Sequence, residues 1–178
     1  MKQQGFTLVE LLIVSAITAI ISYTAVPNIT FMIEKNRINT DIFRLLLLIQ
    51  TTRQNSINFS TTSVLCPTES GSRCTRNWKL PLMLFSDSNK NKKRDTDEPI
   101  IHQFEAFNEP DVLIGYPKTQ IRFNEQGMAN YYNGTMSYCL NQTVKGIIIS
   151  RVGRIRFARD LDGDHIPDVN PSTPVSCQ

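Results

Sequence analysis

Histidine is scarce in this chain: His102 and His165 are the only two. One sits in a strand-like run and the other in an acidic turn, and neither belongs to a nucleophile motif. A glycine loop able to cradle phosphates is missing as well. These absences argue against catalysis, and no enzymatic role is expected. A large excess of one charge is also lacking, since the formal net charge is only +3. That balance does not by itself imply a nucleic-acid partner. No internal repeat or low-complexity tract stands out. Between Asn28 and Asn58 there is neither glycine nor proline, so the usual helix breakers are absent there.

What the chain does have, at its start, is an apolar tract with a single acid in it. After Gly5 it runs from Phe6 to Val26 with Glu10 as its only charged side chain. That is roughly 21 residues, or about 31 Å as a helix, close to the hydrocarbon thickness of a bilayer. Lys2 favours a cytoplasmic N-terminus. A secretory signal peptide would have a shorter apolar core and no acid at its start, although Ser15-Ala16-Ile17-Thr18-Ala19 imitates a cleavage site. A plain signal anchor fits the length but leaves Glu10 without a reason. An ionisable group inside a membrane segment is expensive and implies a function and a partner.

The string Gly5-Phe6-Thr7-Leu8-Val9-Glu10 resembles a class III, type IV prepilin leader. The resemblance implies that a prepilin peptidase cuts between Gly5 and Phe6, that Phe6 becomes N-methylated, and that Glu10 falls at the fifth mature position. Charge compensation supplies the physical logic. Cleavage creates a cationic amine in a low-dielectric place, and Glu10 of a neighbouring subunit neutralises it during assembly.

Cys66, Cys74, Cys139 and Cys177 follow the apolar tract and are expected to face an oxidising periplasm. Four cysteines allow three connectivities. The favoured one is Cys66–Cys74, closing a short polar loop, with Cys139–Cys177, tying the tail to a strand. Zinc is disfavoured because no cysteine pair has the short spacing of a structural site. Pro27 is expected to bend the helix. Beyond it, Ile38, Ile42, Leu45 or Leu46, and Ile49 form a helical stripe, with Glu34, Lys35, Arg37, Asp41, Arg44 and Arg53 on the wet side. The apolar run from Leu45 to Ile49 reads as core burial or as subunit packing.

From Thr61 the texture changes to short β-type runs. Strands are expected at 62–66, 82–86, 100–104, 112–115, 120–123, 136–140, 146–151 and 154–158. Asn133-Gly134 and Val152-Gly153 read as hairpin connections. The expected class is α+β, a long N-terminal helix with a membrane-spanning half and an amphipathic half, packed on antiparallel sheets. The segments are a leader at 1–5, a transmembrane and assembly helix at 6–27, its amphipathic continuation at 28–59 and a periplasmic β-rich domain at 60–178.

The order of features is similar to the GspH/FimT family of minor pilins and pseudopilins. Beyond the leader, the matching pieces are Val64-Leu65-Cys66-Pro67, Trp78, the run from Phe85 to Asn91 with Arg94-Asp95 and Glu98-Pro99, Phe123-Asn124 with Gly127, and Gly153-Arg154-Ile155-Arg156. The resemblance implies a type IV pilin-like fold, assembly with other pilins in a filament, and single-pass insertion in the inner membrane before incorporation into a periplasmic or cell-surface pilus. It leaves three roles open: a DNA-binding minor pilin of natural transformation, a type II secretion pseudopilin, or a priming minor pilin for adhesion or twitching.

Three clusters carry candidate chemistry. Between Lys145 and Arg159 no acid interrupts Lys145, Arg151, Arg154, Arg156 and Arg159. On an extended strand Ile155 and Phe157 would face inward, with Arg154 and Arg156 together on the other face. Paired guanidinium forks suit adjacent phosphates, and Gly153 permits a tight turn or close backbone approach. The Gly153-Arg154-Ile155-Arg156 string resembles the DNA-contacting element of the FimT branch. By that resemblance Arg154 and Arg156 are the main contacts to double-stranded DNA, with Lys145, Arg151 and Arg159 supporting. The alternative is a solvated strand face whose arginines pair with acids such as Asp160.

A second cluster places Asp87, Asn89, Asn91, Lys93, Asp95 and Glu98 in an EF-hand register. Lys92 stands where the turn wants glycine, and Lys90, Lys92, Lys93 and Arg94 oppose a dication. This one reads as a polar hairpin loop. The third, Asp160, Asp162, Asp164 and Asp168 around Gly163, resembles the Asp-x-Asp-Gly-Asp repeats of extracellular calcium-binding proteins, here in a single copy. It stands as a calcium candidate beside the reading of a plain acidic turn; no other cofactor is expected.

Overall fold

A computed structural model describes residues 7–107, 109–141 and 143–177, without the side chains of residues 24–28, 30 and 31. The chain divides into two compact units, Met1–Thr40 and Asp41–Gln178.

Within the first unit, helix α1 (Leu8–Asn58) begins. The Thr7 hydroxyl accepts the backbone N–H of Glu10 and its carbonyl accepts that of Leu11. Thr7 therefore acts as an N-cap, satisfying amides that have no partner within the helix. Its first turn holds Glu10, an acid where the helix dipole favours one. Leu8, Val9, Leu11, Leu12, Ile13, Val14, Ile17, Ile20 and Ile21 are all exposed, so the tract is apolar around its circumference. The hydroxyls here turn inward on the backbone: Ser15 donates to the Leu12 carbonyl, Thr18 to those of Val14 and Ser15, and Ser22 to that of Thr18. The helix continues through Pro27, which does not end it. Among the described residues no helix is long and apolar enough to cross a membrane.

In the second unit α1 buries Ile42, Leu45, Leu48 and Ile49 but leaves Phe43 and Leu47 exposed. The alternation settles the 45-or-46 choice in favour of Leu45 and shows that the run is not enclosed on every side. The helix ends in a Schellman motif. Ser60 takes the left-handed conformation at φ 47°, its N–H reaching the Ile57 carbonyl and that of Thr61 reaching Ser56.

Among the described residues ten strands follow: β1 (Ser63–Pro67), β2 (Leu82–Ser86), β3 (Ile100–Phe104), β4 (Val112–Gly115), β5 (Ile121–Phe123), β6 (Gly134–Leu140), β7 (Thr143–Ile149), β8 (Ile155–Phe157), β9 (Asp168–Asn170) and β10 (Thr173–Pro174). One four-stranded sheet has the order β3-β2-β1-β5 and the other β4-β6-β7-β8, with β9 and β10 paired separately. All the pairings are antiparallel. The helix is pinned to both large sheets. Asn55 donates to the Ser63 and Ser86 hydroxyls of the first, and Asp41 accepts the buried Tyr138 hydroxyl of the second at 2.6 Å. This is the α+β arrangement expected, a helix packed on antiparallel sheets.

Two details differ from expectation. The strands β9 and β10 are additional. Asn133-Gly134 closes no hairpin: Asn133 is extended at φ −67° and ψ 157° and follows the short 3-10 turn Asn130–Tyr132. A two-residue hairpin turn of the Asn-Gly kind needs positive φ at both positions, so here the pair simply opens β6. Disulfides join Cys66 to Cys74 and Cys139 to Cys177.

Candidate nucleic-acid interface

The basic residues gather on the β7–β8 hairpin. Register pairs Ile147 with Phe157, Ile148 with Arg156 and Ile149 with Ile155. The connection runs from Ser150 to Arg154, closed by bonds from the Gly153 N–H to the Ser150 carbonyl and from the Ser150 N–H to the Arg154 carbonyl. The Ser150 hydroxyl also accepts the Arg154 N–H at 3.0 Å.

Gly153 is obligatory on two counts. Its φ is 82°, a region L-residues avoid, and a Cβ there would lie 1.8 Å from the Gly127 carbonyl oxygen. The hairpin tip is thereby pressed against the loop after β5. Arg53, on α1, donates its Nε–H to the same Gly127 carbonyl at 2.9 Å.

Arg154 and Arg159 are exposed and Arg156 is half-buried. These three, with Phe157 and Leu161, line one open surface groove of about 490 Å³. An adjoining groove of about 450 Å³ is lined by Gln50, Arg53, Gln54, Val152, Gly153, Arg154 and Ile155. Arg154 thus belongs to both, and the basic surface extends from β8 onto the helix. Among the described residues none of Arg151, Arg154, Arg156 and Arg159 makes an ion pair. Asp160, the acid nearest in sequence, instead accepts the N–H groups of Gly163 and His165.

The remaining expected residues are not all brought to this face. Strand alternation puts Lys145 in line with Ile147 and Ile149, hence on the face of Ile155 and Phe157, opposite to Arg156. Ile155 and Phe157 themselves are only half-buried, with Phe157 packing edge-on against Phe43 at 5.2 Å. Arg151 lies at the tip, where its carbonyl accepts the Asn130 N–H. Its charge also reaches Lys118. Desolvation first, and then the Arg151 charge, hold the Lys118 ammonium below the usual lysine range. Lys118 donates to the Tyr131 and Asn133 carbonyls and lies over the Tyr131 ring.

The Asp87–Glu98 loop is closed by its own groups. Asp87 is fully buried and accepts the N–H groups of Asn91 and Lys92, together with the Arg122 guanidinium at 2.6 Å. Glu98 accepts those of Ser88 and Asp95. Arg122 therefore supplies Asp87 with its positive partner. Gly5 and Phe6 lie outside the described residues, and Glu10 is exposed.

Residues 43–153 match the family described as Type II transport protein GspH, and residues 1–22 match the Prokaryotic N-terminal methylation motif. The chain belongs to the GspH family. No curated protein matches it in sequence. Among solved structures, this GspH-family chain is similar to the type IV minor pilin FimU of Pseudomonas aeruginosa strain PAO1 in two crystal forms. One gives a TM-score of 0.54 at 14% identity, covering 71% of this chain and 91% of that one. The other gives 0.50 at 13% identity, covering 68% and 92%. At such identities the likeness is one of fold. The GspH match stops at Gly153, so Arg154, Arg156 and Arg159 lie outside the matched span.

Proposed function

We propose that this chain is a minor type IV pilin that binds duplex DNA through its phosphate backbone during natural transformation. The observation carrying this reading is the groove that gathers Arg154, Arg156 and Arg159 without an acidic partner among the described residues. Guanidinium groups without an acidic partner in an open groove suit successive phosphates and carry no base information. Arg53 extends the same surface, while Lys145 has its register on the other face. Prepilin peptidase cuts between Gly5 and Phe6, Phe6 is N-methylated, and Glu10 pairs with a neighbouring subunit's new amine as the filament assembles. The 6–27 segment holds the chain in the inner membrane until then. Its inward-turned hydroxyls support that placement, because backbone and side-chain polar groups in lipid must be satisfied internally.

The test is an electrophoretic shift of duplex DNA by the full-length chain in detergent. Replacing Arg154 and Arg156 by Gln abolishes the shift at moderate salt. The slope of log K against log salt flattens by about 2, roughly one unit for each phosphate contact removed. Unchanged affinity in the double variant overturns the reading. The matched family description favours a second reading, a type II secretion pseudopilin without nucleic acid, and that outcome would leave it standing.

A further inference from the structure

We propose that Asp160, Asp162 and Asp168 form a calcium site at the base of the loop between β8 and β9. One carboxylate oxygen from each of the three lies within 4.8 Å of the others. Two oxygens that each sit about 2.3–2.6 Å from one calcium ion are at most about 5 Å apart, so the three fit a single ion. The decisive observation is Asp168. It is 1% exposed. Its Oδ2 accepts the Leu161 N–H at 2.8 Å, while its Oδ1, fully buried, has no hydrogen-bond partner among the described residues. A buried carboxylate oxygen without a donor is costly unless a cation supplies the missing interaction.

The surroundings favour a hard dication. Arg159 stands beside Asp168 in an antiparallel bridge, yet among the described residues no Lys or Arg forms an ion pair with any of the three aspartates, in contrast to the Asp87 loop, where Arg122 takes the acid. The donor set is oxygen only, which suits calcium over zinc or copper. His165 is exposed, with its Nδ1 3.8 Å from Asp160 Oδ2. The Asp160 carboxylate is itself held in place by the N–H groups of Gly163 and His165, which it accepts. Asp168 is fixed before any ion arrives, its N–H bonded to the Arg159 carbonyl at 2.8 Å. The loop supplies no glutamate at the twelfth position, so the ligands are few. Affinity belongs in the range of extracellular calcium modules, roughly 0.1–1 mM. This assignment is independent of the DNA reading.

Isothermal titration of calcium into calcium-free, full-length protein in detergent tests it. A saturable heat with a Kd of about 0.1–1 mM is expected, with magnesium weaker. Asp162→Asn and Asp168→Asn are expected to abolish that heat, and Asp95→Asn, in the other loop, to retain it. Asp162 is exposed, so its variant decides the matter even where Asp168→Asn fails to fold. No saturable heat up to about 10 mM calcium, or full binding by Asp162→Asn, overturns the site.

Discussion

Gly153 shows how much one residue can determine. Its left-handed backbone and the 1.8 Å approach to the Gly127 carbonyl leave no room for a methyl group. Gly153→Ala must therefore either move the hairpin tip away from the β5 loop or strain the turn. It is expected to destabilise the fold by more than about 1 kcal/mol, lowering the thermal midpoint seen by circular dichroism. Gly163→Ala is the informative comparison, since Gly163 has φ 89° but open space around it; strain alone remains, and the loss should be smaller. The two substitutions separate conformational strain from steric contact. At this scale the need for glycine at 153 was readable beside Arg154, but its contact was not, because Gly127 lies far away in sequence.

At the scale of elements, α1 presents two kinds of leucine within one turn. Leu45 is fully buried and Leu47 is 61% exposed. Leu45→Ala is expected to cost about 2–5 kcal/mol, the usual loss for a core leucine, and Leu47→Ala less than about 0.5 kcal/mol. Urea unfolding of the two variants checks the difference, and equal losses would contradict the observed register. The helix and the first eight strands were legible because their signals are local: apolar spacing, a glycine-free stretch, and β-branched or aromatic runs between turns. What escaped was set by distant partners. Strands β9 and β10 are three and two residues long, flanked by Pro167 and Pro171 with Pro174 inside β10, and carry no periodicity to read. Asn133-Gly134 has the composition of a hairpin turn, yet the preceding 3-10 turn holds Asn133 extended. Lys145 is near the other basic residues in sequence, and only the strand register, which aligns it with Ile147 and Ile149 against β8, sets its face. Arg53 was missed in the candidate site for the converse reason, being on another element entirely. Its signal was merely one more charge on the wet side of a helix.

For the whole molecule, the two disulfides close loops of different size. Cys66–Cys74 spans a sequence separation of 8 and Cys139–Cys177 one of 38. Loop-closure entropy predicts about 2.5 kcal/mol for the first and about 4 kcal/mol for the second. Replacing Cys139 and Cys177 by Ser is therefore expected to lower the thermal midpoint more than replacing Cys66 and Cys74, and the opposite ranking would locate the stability elsewhere. Both bridges fall in the Asp41–Gln178 unit, so reduction should loosen the sheets while leaving the helical signal of the first unit in place.

The longer bridge also gives the chain a closed circuit. Strands β7 to β10, the arginine groove and the acidic loop all lie between Cys139 and Cys177, inside a covalent ring whose closing bond is sulfur to sulfur. A protease that cuts one peptide bond anywhere in that ring opens it without detaching anything, because both new ends remain joined to β6. The arginine groove and the acidic loop are thus held by two independent tethers, and a single nick leaves both attached.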